Sequence, residues 1–115
     1  MHPADMAING WRVMWLLASF DCPVGTKEER HDYTVFRRTL LQENFTQHQF
    51  SVYLKHFPTL ATAQAQIERL RPSVPEDAHV AFFFFTDKQY AMTREFIGPR
   101  RSKIRPDAPE QLLLI

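Results

Sequence analysis

Two apolar runs constrain this chain more than anything else in it: Val13-Met14-Trp15-Leu16-Leu17-Ala18-Ser19-Phe20 and Val80-Ala81-Phe82-Phe83-Phe84-Phe85. Both are far too short to span a bilayer. A short run that is apolar on both faces reads as a central strand covered on both sides. The first run is stopped by Asp21-Cys22-Pro23, because Pro23 has no N–H to give to a ladder. A carboxylate, Asp21, therefore stands at the tip of the most rigid element the chain can build. That is where a metal-dependent site needs its ligand. An aspartate that merely turns the chain is the plainer reading of the same position.

The length, 115 residues, corresponds to one domain. A chain of this size buries about two thirds of its unfolded surface on folding, so its core is adequate but modest. Ten phenylalanines exceed what such a core requires, and surplus aromatic surface of this kind goes into subunit interfaces. A lone cysteine excludes an intrachain disulfide framework and fits a reducing compartment. The first ten residues lack the basic and apolar regions of a signal peptide. A cytoplasmic location is the expectation. The net charge of +1 is weaker than the footprint of most nucleic-acid binders, so any phosphate binding must rely on local clusters. Candidates are Arg37-Arg38, Arg69 with Arg71, and Arg100-Arg101-Lys103-Arg105, clusters that are more often a solvated face than a binding site.

Trp11 to Asp21 is predicted as strand one. Thr26-Lys27-Glu28-Glu29 is a capping box, in which the Thr hydroxyl and the Glu carboxylate each satisfy the other's backbone N–H. The helix it opens carries Tyr33, Phe36, Leu40 and Leu41 at helical spacing. It ends near Glu43-Asn44, where Asn takes the left-handed cap. Phe45 to Phe57 alternates as a strand does, but thirteen residues are long for one strand, and a turn near residues 49–51 splits it. Thr59 caps a second helix whose buried stripe is Leu60, Ala63, Ile67 and Leu70, and Pro72 stops it. The Phe-rich strand follows, then a polar turn or short helical turn at Thr86-Asp87-Lys88-Gln89-Tyr90. Glu95-Phe96-Ile97 reads as a last short strand. Residues 99–115 form a basic, proline-rich tail ending in the apolar plug Leu112-Leu113-Leu114-Ile115, which is expected to dock on a partner or on a neighbouring subunit.

The order βαββαβ over residues 11–98 is that of a ferredoxin-like α+β domain. Its helices cover one face of the sheet. Trp15 and the Phe run supply apolar residues to the other face as well, and a second copy of the chain is the simplest cover.

The spacing Phe20-Asp21-x-Pro23-x-x-Thr26-Lys27-x-x-Arg30-x-x-Tyr33-x-x-Phe36-Arg37 resembles the CRISPR-associated Cas-two family, the small nuclease-like subunit of the spacer-acquisition machinery. Gln49-Phe50-Ser51-Val52-Tyr53 looks like the family's second β segment, and Thr86-Asp87-Lys88-Gln89-Tyr90 like its segment after the fourth strand. The Lys-Gln-Tyr block and the Leu-Leu-Leu-Ile terminus look most like members from systems with a Cas-nine effector. The resemblance implies a homodimer with the two sheets packed face to face and with a C-terminal strand or tail crossing to the neighbour. It implies that Asp21 is the metal-binding aspartate, one from each chain. Members of the family are described both as magnesium-dependent endonucleases on RNA or duplex DNA and as non-catalytic bridges between dimers of the Cas-one integrase. Cys22 departs from the family, which more often has an aliphatic residue there, and a small thiol fills the same space.

Phosphodiester hydrolysis needs a nucleophilic water and relief of phosphate charge. Mg2+ supplies both when carboxylates hold it and leave waters in place. Asp21 is the expected catalytic and metal residue, and a two-fold axis would face it with its copy. Lys27, Arg37 and Arg38 are candidate phosphate contacts. The first helix's N-terminus offers backbone N–H groups, opposed by Glu28 and Glu29. Other constellations are poorer. Cys22 with His31 or His48 lacks a third group. The five histidines have no metal-ligand spacing, and no phosphate-binding glycine loop is present. Phe82 to Phe85 as a stacking platform would make the chain a single-stranded RNA-binding module without catalysis, which is the alternative. An endonuclease acting through Asp21 and a dimeric scaffold holding duplex DNA and integrase subunits both remain open.

Overall fold

In the computed structural model, residues 13–102 are described. Residues Trp11 and Leu112–Ile115, to which the sequence assigned a strand start and the docking plug, lie outside that range. The elements are β1 (Met14–Asp21), α1 (Lys27–Gln42), β2 (Thr46–Gln49), β3 (Val52–Phe57), α2 (Leu60–Leu70), β4 (His79–Thr86), α3 (Asp87–Ala91) and α4 (Pro99–Ser102). A single 3₁₀ turn, Arg71–Ser73, follows α2. The sheet order is β2-β3-β1-β4, antiparallel throughout. This is the ferredoxin-like arrangement expected from the order of elements.

Local chemistry sets the element ends. Thr26 Oγ1 accepts from Glu29 N–H at 3.0 Å, and Glu29 Oε1 accepts from Thr26 N–H at 2.9 Å, the reciprocal pair that starts α1. Asn44 leaves α1 at φ 69°, the left-handed geometry that asparagine tolerates better than other non-glycine residues. Residues 50 and 51 form the turn that splits the β2–β3 segment. Thr59 and Thr86 cap α2 and α3 in the same reciprocal way as Thr26.

Residues that face each other across antiparallel strands share a side of the sheet. Leu17 faces Leu54 on one neighbour and Phe83 on the other, whereas Ala18 faces Tyr53 and Phe82. On the helix side, Leu16, Ala18, Phe20, Tyr53 and Phe57 are buried against Phe36, Leu40, Ala63 and Leu70. On the other side Trp15, Leu17 and Ser19 are only half-buried. The double cover predicted for β1 is therefore complete on one side alone. The Phe run divides in the same way: Phe82 packs against the core, while Phe83, on the open side, keeps 49% of its surface exposed.

α3 covers part of the open side. Trp15 Nε1 donates to Asp87 Oδ1 at 2.6 Å, and the Tyr90 ring stacks on Trp15 with centroids 4.0 Å apart. Three expectations are corrected. Glu95–Ile97 is not a strand; residues 93–98 have no regular structure, and Phe96 is 84% exposed. Leu41 is exposed because α1 centres its buried face on Phe36 and Leu40. The buried stripe of α2 is Ala63, Gln66 and Leu70, with Leu60 and Ile67 only partly covered. Gln66 is buried because its polar atoms are engaged. It accepts from Lys55 Nζ and donates to Glu43 Oε1 at 2.9 Å, while Lys55 Nζ also donates to the Glu43 carbonyl at 2.7 Å.

Candidate metal and nucleic-acid site

Asp21 is the last residue of β1 and is exposed. Alternation along the strand puts it on the open side, in line with Trp15, Leu17 and Ser19. Its cross-strand partner on β4 is His79, also exposed. In the sequence His79 is one of five histidines without metal-ligand spacing. Only strand register brings it beside Asp21, and register is not readable from one apolar run. The strand end is held from behind by the core: Phe20 packs edge-on to Phe36 with ring centroids 5.1 Å apart. Its backbone N–H donates to the Ser51 carbonyl at 3.1 Å.

The hard oxygens of Asp21 suit Mg2+, which takes one or two carboxylates and fills its other positions with water and substrate phosphate. Among the described residues no group of three or more His, Cys, Asp or Glu is arranged to hold a metal ion. The described residues thus offer one carboxylate, Asp21, at the end of β1.

Next to Asp21, Cys22 is half-buried against the core. Burial pushes its thiol pKa up, and the Asp21 and Asp32 carboxylates push it further. A protonated thiol is a poor nucleophile, so the geometry gives Cys22 a packing role. The start of α1 does not form a phosphate cradle. Glu29 already occupies the Thr26 N–H, and the adjoining cleft is lined by Glu28, Glu29, Asp32, Glu76 and Asp77. That acidic wall repels phosphate from this flank.

The basic candidates are dispersed. Lys27 and Arg38 are exposed along α1, and Arg37 is half-buried. Arg69 pairs with Glu43 at 3.7 Å and Arg71 with Glu68 at 2.7 Å, so neither guanidinium is free to take a phosphate without giving up an ion pair. Arg100 and Arg101 are exposed on α4, while Lys103 and Arg105 lie outside the described residues. No helix among the described residues is long and apolar enough to cross a membrane.

A four-stranded antiparallel sheet with two helices on one side, a partly uncovered apolar second side and a carboxylate at the end of its central strand defines a small ferredoxin-like α+β protein. The family model for CRISPR-associated protein Cas2 matches residues 14–93, and the chain belongs to that family. A protein of Flavobacterium psychrophilum named CRISPR-associated endoribonuclease Cas2 is 34% identical over 106 residues, 92% of this chain and 90% of its own. A protein of the same name from Paracidovorax avenae is 41% identical over 108 residues, 90% of this chain and 95% of its own. A solved structure titled "Crystal structure of cas2" superposes with a TM-score of 0.55 at 21% identity, covering 84% of this chain and 93% of that one. At that identity the superposition speaks for the fold.

Proposed function

We propose that this protein is a dimeric, magnesium-dependent endonuclease subunit of CRISPR spacer acquisition, acting on the phosphodiester backbone of RNA or duplex DNA beside the Cas-one integrase. The observation that carries this reading is Asp21, exposed at the rigid end of the central strand on the open apolar side. Relatives named as endoribonucleases support the reaction class. The residues left half-covered on the open side, Leu17, Val52, Ala81 and Phe83, suit a second copy packed face to face, with C-terminal residues crossing between protomers. Such packing brings two Asp21 carboxylates to one axis. The cytoplasm is the compartment where the nucleic acids and partner subunits are found. The terminal sequence favours a system with a Cas-nine effector.

When bound, Mg2+ supplies Lewis-acid relief of phosphate charge and a more acidic water. The protein's own part is positional. Asp21 presents hard oxygens from a strand end that the core holds still, which lowers the reorganisation needed at the reacting phosphate. Lys27 and Arg38 steer the backbone by charge alone, so binding carries little sequence preference and falls steeply with salt. The tail from Pro99, ending in Leu112–Ile115, tethers the integrase. A non-catalytic scaffold is the second reading, favoured by the single carboxylate per chain. Asp21→Asn decides between them. The near-isosteric amide should keep the fold and the dimer while abolishing Mg2+-dependent cleavage of a labelled RNA or duplex. Equal cleavage by mutant and wild type at matched purity would remove Asp21 from the reaction.

A further inference from the structure

Strand register places one more ligand-type side chain at the Asp21 strand end. His79, the first residue of β4, lies directly opposite Asp21, the last residue of β1. Directly opposed residues have Cβ atoms about 4.5–5.5 Å apart on one side of the sheet. That side is the open one, because the next pair along, Phe20 and Val80, turns to the core. Asp21 and His79 are both exposed. Among the described residues, neither side chain has a hydrogen bond or an ion pair. Two other histidines stand beside carboxylates, and both are engaged. His48 Nε2 pairs with Glu95 at 2.8 Å, and His56 lies 3.7 Å from an Asp87 that also accepts from Trp15 at 2.6 Å. Asp21 and His79 stand side by side without being tied to each other.

Metal–ligand bonds of about 2.0–2.2 Å set two neighbouring donor atoms on one ion about 3 Å apart. A carboxylate and an imidazole whose Cβ atoms are about 5 Å apart reach that spacing by side-chain rotation alone. The field at this strand end favours a cation. Glu28, Glu29, Asp32, Glu76 and Asp77 line the cleft that begins at Cys22, next to Asp21. The Asp21 and Asp32 charges both reach the Cys22 thiol. Donor chemistry then selects the ion. Mg2+ takes oxygens and keeps much of its water, so Asp21 alone serves it. First-row transition dications take imidazole nitrogen as well. We propose that His79 joins Asp21 as a metal ligand, so that this strand end holds a first-row transition dication more tightly than Mg2+. The proposal rests on the reading of Asp21 as a metal residue given above and adds to it a nitrogen donor from the neighbouring strand. In the two-fold dimer each copy brings the same oxygen–nitrogen pair to the axis.

Metal affinity, read without nucleic acid, tests the assignment, with Co2+ as the probe and Mg2+ as its counterpart. Each ion is titrated calorimetrically into the full-length wild type, His79→Ala, Asp21→Asn, His48→Ala and His56→Ala. His79→Ala should weaken Co2+ about tenfold, the lower end of what even an outer-shell partner of a ligand contributes. It should leave Mg2+ within about twofold, because Mg2+ does not use the nitrogen. Asp21→Asn should weaken both ions. His48→Ala and His56→Ala should bind Co2+ as wild type does. Proton NMR of the Co2+-loaded wild type should show contact-shifted imidazole resonances that His79→Ala lacks. Unchanged Co2+ affinity in His79→Ala, or equal loss of Co2+ and Mg2+, would overturn the assignment. So would a wild type that binds Co2+ no more tightly than Mg2+. Loss of Co2+ affinity in His48→Ala or His56→Ala would place the ion elsewhere on the open side and overturn it too. Cleavage is scored apart from binding. Mg2+-dependent cleavage lost in Asp21→Asn, with Co2+ affinity intact in His79→Ala, upholds the function and removes the His79 ligand. Co2+ affinity that needs both residues, in a protein that cuts neither RNA nor duplex DNA, upholds the ligand pair and removes the function.

Discussion

Phe83→Ser is the sharpest probe of the proposed dimer. Phe83 lies on the open side of β4, opposite Leu17, and keeps 49% of its surface exposed in one chain. Its neighbour Phe84 faces Leu16 on the helix side. Fully burying a phenylalanine contributes roughly 1.5–3 kcal/mol. Covering the remaining half contributes about 0.7–1.5 kcal/mol per protomer, and two-fold symmetry doubles that to about 1.5–3 kcal/mol per dimer. Phe83→Ser should therefore weaken dimerisation about ten- to hundredfold, measured by sedimentation equilibrium over a concentration series. Phe84→Ser is the control. It should lower the stability of each protomer in urea while leaving the dimer constant within about twofold, because its ring points away from the proposed partner. Equal weakening by both substitutions, or none by Phe83→Ser, would refute the assignment of the open side as the interface.

Lys55→Met should destabilise the protein by about 1–3 kcal/mol in urea unfolding, because the buried Gln66 oxygen loses its donor; replacing Gln66 by Leu as well should recover part of that loss. The Tyr33 and Tyr53 hydroxyls have raised pKa values in the fold. Their contribution is complete below the ordinary phenol value of about 10 and is lost as pH rises from there through the folded values, so Tyr53→Phe should flatten the alkaline fall in thermal midpoint. Deleting residues 111–115 should weaken association with purified Cas-one integrase about ten- to hundredfold while sparing the homodimer. Burial of four aliphatic side chains contributes roughly 6 kcal/mol, and ordering the tether takes back much of it. Unchanged affinity with loss of the dimer would place the tail on its own neighbour.

Features governed by nearest neighbours were legible in the sequence. The capping box at Thr26, the left-handed Asn44 and the break at residues 50–51 each depend on a few adjacent residues, and each is present. So is the strand-end position of Asp21, which one proline dictates. What escaped depends on partners distant in the chain. Gln66 was absent from the expected stripe of α2; it is buried because Lys55 and Glu43 engage both ends of its carboxamide. His79 joined Asp21 only through strand register. Trp15 was read as apolar surface for a second copy to cover, yet Tyr90 and Asp87, more than seventy residues later, engage its ring and its N–H. Arg37 was noted as a phosphate contact, but its half-buried place beside Tyr33 and Tyr53 requires α1 and β3 to be packed together.

The sheet order β2-β3-β1-β4 has a consequence for biosynthesis. The earliest of the four sheet strands to be synthesised, β1, ends up inside the sheet, with β3 on one side and β4 on the other. Its Leu-rich length gains its last neighbour only when residues 79–86 have been made, and those residues are the phenylalanine run. Until then a nascent or prematurely terminated chain shows a strand with one bare edge and no means of closing it. Chains ending before Thr86 should accordingly be the species that chaperones retain and proteases clear, and little of this protein should accumulate in a half-finished form.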